Sequence, residues 1–104
     1  MKISVIALVG VMVFVSQMAF AEPKKIEKIS YVYVLDDGQS FDFSAGAHHE
    51  CGTNIYRTRA ADAGVLNRKF SLVLTAYTAR KRLTINTSGC DGNRLLFNWV
   101  RLHD

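Results

Sequence analysis

The sequence predicts an α+β domain: one central α-helix laid across a small curved sheet of about five strands and stapled by a single disulfide. Three observations predict it. Between Asp62 and Ala79 apolar residues recur every three or four positions, the period of a helix with one buried stripe. Around that segment lie short runs rich in Val, Ile, Tyr and Phe that alternate apolar with polar, the pattern of half-buried strands. The chain has two cysteines, Cys51 and Cys90, and they bracket a strand, the helix and a second strand. Two cysteines allow one intramolecular bridge. Nothing resembles Cys-x-x-Cys, and the separation suits a structural bond between Cys51 and Cys90.

The first 21 residues read as a secretory signal peptide. Lys2 gives a positive start, Ile3 to Val15 is apolar apart from Ser4 and Gly10, and Ala19-Phe20-Ala21 places small residues where a signal peptidase reads. The apolar core is shorter than the roughly 20 residues a spanning helix needs. Cleavage after Ala21 is expected. It leaves residues 22–104 as a single domain, secreted or periplasmic, with no membrane insertion. Domains of this size bury only about 60% of their unfolded surface and often need a staple. Export supplies the oxidising compartment in which a disulfide persists. A bridge closing a loop of about 40 residues contributes about 4 kcal/mol by chain entropy. That is comparable with the whole net stability of a small domain. The formal net charge of +4, one unit of it from Lys2, is too small to argue nucleic-acid binding.

Glu22 to Lys28 is a polar, lysine-rich entry, expected to fray. From Ile29 the chain alternates, with Ile29, Tyr31, Tyr33 and Leu35 on one face, and Asp36-Asp37-Gly38-Gln39 supplies a turn. Phe41 and Phe43 alternate with Ser40, Asp42 and Ser44, so a second strand returns as a hairpin. Ser44 to Asn54 is loop by composition, and Ile55 to Arg59 is a short strand. Asp62 is placed to cap the helix, whose stripe is Leu66, Phe70, Val73, Leu74 and Tyr77. Arg80, Lys81 and Arg82 follow at the end where cations suit the helix dipole. Leu83, Ile85 and Thr87 mark the next strand, and Asp91-Gly92-Asn93 a turn. The last strand, Leu95 to Leu102, divides Leu96, Val100 and Leu102 from Leu95, Phe97, Trp99 and Arg101. Both faces are apolar, as in a central strand of a curved sheet or one covered by a partner subunit.

Candidate chemistry is sparse. His48-His49-Glu50-Cys51 has the residue types of a metal cluster, but a cysteine held in a disulfide cannot ligate zinc, and His103 is the only other histidine. No nucleophile-elbow motif occurs. No catalytic residue, metal or cofactor is therefore assigned. Arg57, Arg59, Arg68, Lys69, Arg80, Lys81 and Arg82 form a basic patch or else solvated surfaces. Tyr31, Tyr33, Tyr56, Phe97 and Trp99 are core, or a sugar-stacking or subunit interface. Asn86-Thr87-Ser88 matches the N-glycosylation pattern, read as accidental.

From Arg68-Lys69-Phe70-Ser71-Leu72-Val73-Leu74-Thr75-Ala76-Tyr77 through Lys81-Arg82-Leu83-Thr84-Ile85-Asn86 to Gly89-Cys90, the chain resembles small exported bacterial proteins of uncharacterised function. In these a Leu-Leu-Thr-Ala-Tyr helix leads into a strand ending at Gly-Cys. More distantly it resembles the binding (B) subunits of AB-type toxins of the subtilase-cytotoxin kind. That resemblance implies an OB-like β-barrel with one central helix, five copies of which form a glycan-binding ring. The chain is shorter than those subunits, and no sugar-contacting position is carried over.

The expected function is a non-enzymatic binding module that contacts a glycan or a protein and is able to form homo-oligomers. The second reading is a periplasmic stress or inhibitor protein that binds a partner protein through its basic face. A third is a small hydrolase or metal protein using His48 and His49. The ligand-binding residues are unassigned.

Overall fold

A computed structural model describes residues 23–103. The predicted leader and its cleavage after Ala21 lie outside the described residues. The elements are β1 (Pro23–Ile26), β2 (Ile29–Val34), β3 (Ser40–Ala45), β4 (Ile55–Arg59), α1 (Ala63–Ala79), β5 (Leu83–Asp91) and β6 (Arg94–Leu102). The strands form one mixed sheet in the order β1-β5-β6-β4-β3-β2. Neighbours are antiparallel except β4 and β6, which run parallel. The sheet thus has six strands rather than about five, and its hydrogen-bond ladder does not close. The added strand is β1, whose four residues pair with Leu83 to Asn86 of β5. No alternation marks Pro23-Lys24-Lys25-Ile26 in sequence. Backbone pairing and the burial of Ile26 order it.

β1 and β2 stand at opposite edges, yet only Glu27 and Lys28 separate them. Three peptide steps reach no further than about 11 Å. The sheet therefore curls until the end of β1 meets the start of β2, and this curl gives it an inside and an outside.

The inside is aromatic. Phe41, Phe43, Tyr56 and Phe97 are all but fully buried, with Phe43 stacked on Tyr56 at 5.0 Å and set edge-on to Phe97 at 5.3 Å. Such pairs add about 0.5–1.5 kcal/mol each beyond their buried area. α1 closes this core through Phe70, edge-on to Phe41 at 5.2 Å, with Leu66, Val73 and Ala76 buried. Leu74 and Tyr77, expected in the stripe, are 39% and 42% exposed. The buried line passes through Ala76 instead, and that small side chain suits a close approach of the helix to β2.

Asp62 caps α1 by accepting from the backbone N–H groups of Gly64 and Val65. At the other end Arg80 takes a left-handed conformation (φ 55°), the backbone that ends helices and that glycine adopts at least cost. α1 has no basic residue in its last turn; the cations begin at that cap.

β5 runs on through Cys90 to Asp91, longer than its alternation indicated. The two-faced pattern of β6 has a local cause. Thr87 pairs with Phe97 but Ile85 pairs with Val100, so β6 carries an extra residue between them. This bulge inverts the alternation. Leu95 and Phe97 face inward before it, and Val100 and Leu102 pack with the core after it, while Trp99 is left 41% exposed. The split read from sequence, with Leu95, Phe97, Trp99 and Arg101 sharing a face, is corrected accordingly. Cys51 and Cys90 are bonded, their Cα atoms 5.7 Å apart. The bond fits an oxidising compartment. Among the described residues no helix is long and apolar enough to cross a membrane.

Candidate functional site

The outer face of β2, β3, β4 and β6 carries the polar cluster. β3 sets it up. Phe41, Phe43 and Ala45 point inward, so Ser40, Asp42 and Ser44 point outward by the period of two. An outward carboxylate is ordinarily solvated, yet Asp42 is 0% exposed. Its neighbours cover it. Register places Arg57 of β4 and Tyr33 of β2 directly opposite Asp42, on either side. Arg57 grips the carboxylate with two hydrogen bonds, Nε to Oδ1 at 2.7 Å and Nη2 to Oδ2 at 2.9 Å. The Tyr33 hydroxyl donates to Oδ2 at 2.7 Å, and Arg94 Nε of β6 approaches the same oxygen at 3.4 Å. A buried carboxylate is tolerated when its lone pairs are met by charge-assisted donors in this way.

Asp91 and Arg94, facing each other across the β5–β6 hairpin, extend the cluster. Asp91 accepts from Arg59 and, at 3.5 Å, from Arg57. Three guanidinium groups therefore meet two carboxylates, an excess of one positive charge. Arg57 is nearly covered, while the side chains of Arg94 and Arg59 are 30% and 51% exposed. Burial, reinforced by the hydrogen bond to Asp42, raises the Tyr33 phenol above its ordinary value. The bonds to Asp42 hold Arg57 still more firmly cationic, and the Tyr33 hydroxyl does the same first for Arg94. Beside them, Tyr31 stacks on Tyr33 with ring centroids 5.8 Å apart and both rings open to solvent. The face thus offers a flat aromatic pair next to fixed cations. It can stack a ring and bind an oxyanion.

The sequence candidates divide. Of the aromatic set, Tyr56 and Phe97 are core, Tyr31 and Tyr33 are at the cluster, and Trp99 stands apart under Arg101, whose guanidinium lies 5.8 Å from the ring. The seven cations do not form one patch. Arg57 and Arg59 belong to the cluster, and Lys69 reaches the hydroxyl of inward-facing Thr58, with its ammonium destabilised by burial. Arg80 and Lys81 border a separate cleft with Lys28 and Tyr77. His49 is buried and structural. Its Nδ1 accepts from the Cys51 N–H, so its Nε2 donates to the Ile55 carbonyl, and the ring packs edge-on to Tyr56. Among the described residues no group of three or more His, Cys, Asp or Glu could hold a metal ion.

Asp42 and Arg94 were not singled out from the sequence. The available signal was a lone acid between two phenylalanines in a strand, and it gains meaning only with the register that brings Arg57 and Tyr33 to it. Comparison with family models, curated proteins and solved structures finds no match.

Proposed function

We propose that this chain is a secreted or periplasmic binding module with no catalytic role, and that the outer face built around Asp42 receives a glycan or a protein ligand. The observation that carries this reading is the exposed Tyr31–Tyr33 stack lying against an arginine cluster that a buried carboxylate holds in place. Rigid aromatic rings give contact area at low entropic cost, and prepositioned guanidinium groups give direction.

An OB-like order of the strands supports the same reading. If β1 and β2 are taken as one strand bent at Glu27–Lys28, five strands remain, with the helix between the third and fourth and the third parallel to the fifth. OB folds bind oligosaccharides and oligonucleotides on the face of their second and third strands and on the adjoining loops. Here that face is β3 and β4, flanked by the Asp36–Gln39 turn and the Asp91–Arg94 hairpin, which is where the cluster lies.

The test is a glycan array together with a pull-down from the native compartment, run with the unaltered protein, Tyr31→Ala and Arg94→Ala. Loss of a specific signal in both variants supports the reading. A signal that survives both places the ligand elsewhere. A signal lost instead on charge reversal of Arg80, Lys81 and Arg82 favours a partner protein bound at the far end of the helix.

A further inference from the structure

The two edges of the sheet are built differently. β1 begins with Pro23, which has no N–H to offer a neighbour, and continues with Lys24 and Lys25. Proline and lysine are the devices by which edge strands avoid pairing with another chain. β2 has neither. From Ser30 to Val34 it reads Ser-Tyr-Val-Tyr-Val, with no charge, and its register to β3 is regular from Tyr31 onward. It is hydrogen-bonded to β3 on one side only. Of the large hydrophobic residues exposed among the described residues, all but Trp99 sit on β2 or on α1. Tyr31, Tyr33 and Val34 (57% exposed) are on the strand. Leu74 and Tyr77 are on the helix, and Tyr77 borders a cleft against Ile29 and Ser30 of β2.

We infer that β2 is an interface strand, and that its partner is β2 of a second copy of this chain, added antiparallel about a two-fold axis at Val32. The sequence is self-complementary about that point. Tyr31 of each copy falls opposite Tyr33 of the other, and Val32 falls opposite Val32. The outer face then carries four tyrosines in a row, and aromatic cross-strand pairs are among the most favourable in antiparallel sheets. The inner face joins the two cores through Val32, which already packs against its own core. An uncharged edge suits self-pairing in a chain of net charge +4, because no like charges meet at the contact. A two-fold contact of this kind uses the same surface on both copies and closes at two. The inference does not depend on what the outer face binds.

The experiment is sedimentation equilibrium on the purified protein with its disulfide intact, combined with isotope-filtered NMR on a mixture of labelled and unlabelled chains. The expected result is a dimer with intermolecular contacts between Tyr31 and Tyr33. Giving β2 the protection that β1 has, by Tyr31→Lys or Val34→Lys, weakens the dimer at least about tenfold while circular dichroism reports a folded chain. Trp99→Lys, on β6, leaves it intact. A monomer, a ring of more than two copies, or a dimer indifferent to both β2 lysines overturns the proposal. So does a monomer that captures an extended segment of some other protein on β2. Ligand binding that fails in Arg94→Ala while the dimer persists, or the reverse, separates this inference from the function proposed above.

Discussion

Arg57 and Asp42 form a two-pronged ion pair across β3 and β4, with the carboxylate fully buried on the outer face of the sheet and the guanidinium 13% exposed. Two strands and the β5–β6 hairpin contribute to one charge cluster there. The pair fixes Arg57 and leaves Arg94 and Arg59 as the accessible cations.

Removing one partner from such a pair leaves the other desolvated and uncompensated. Asp42→Ala is expected to destabilise the fold by about 3 kcal/mol, because Arg57 and Arg94 then lose the carboxylate that lies between them. Asp42→Leu combined with Arg57→Leu is expected to cost clearly less than the sum of the two single changes. Chemical denaturation of the four proteins checks this. Additive costs would mean that the two side chains do not stabilise each other.

Tyr33 provides an alkaline test. Its folded pKa is raised, by burial first and then by its bond to Asp42. A raised folded value contributes stability that is fully present below the unfolded value of 10.0 and is lost as pH rises through the folded one. Stability is therefore expected to fall on the alkaline side of pH 10, and Tyr33→Phe is expected to flatten that limb. Thermal melts against pH, read beside phenolate absorbance, measure both. An unchanged alkaline limb in Tyr33→Phe would assign the loss to another group.

Parts of this were legible in the chain. The helix, its Asp62 cap, the Asp-Gly hairpin and the disulfide follow from local chemistry, since each depends on residues a few positions apart or on a count of two cysteines. The rest depends on register. Pro23 to Ile26 has no periodicity of its own and becomes a strand because β5 has an open edge. The bulge that turns Trp99 outward leaves no mark in the composition of β6. Tyr33 and Arg57 were visible as members of an aromatic set and a basic set. Only the pairing of β2, β3 and β4 shows that they share a carboxylate, and Asp42 and Arg94 acquire a role at the same step.

The disulfide ties the loop before β4 to the end of β5, beside Asp91 and the hairpin that carries Arg94. Cys51→Ser is expected to destabilise the domain by a few kcal/mol, up to about 4 by chain entropy. Thermal unfolding with and without reductant checks it. A melting temperature indifferent to reduction would show that the staple is unnecessary.

The two adjacent histidines are expected to behave differently. His49→Ala removes the partners of the Ile55 carbonyl and the Cys51 N–H and opens space beside Tyr56, at a cost of about 2 kcal/mol. His48 is exposed, and His48→Ala is expected to be close to neutral. Equal effects from the two substitutions would contradict the structural role of His49. Metal recovered with the purified protein and lost in both variants would revive a metal-binding role for the pair.

The central claim is that the Asp42-centred outer face is where this protein meets its ligand. NMR chemical-shift mapping with a ligand found by array or pull-down tests it most directly. The account predicts shifts concentrated at Tyr31, Tyr33, Arg59 and Arg94, and loss of affinity in Arg94→Ala with the fold intact. Shifts confined to the helix and the Arg80–Lys81 cleft, with Arg94→Ala binding at full strength, would contradict it.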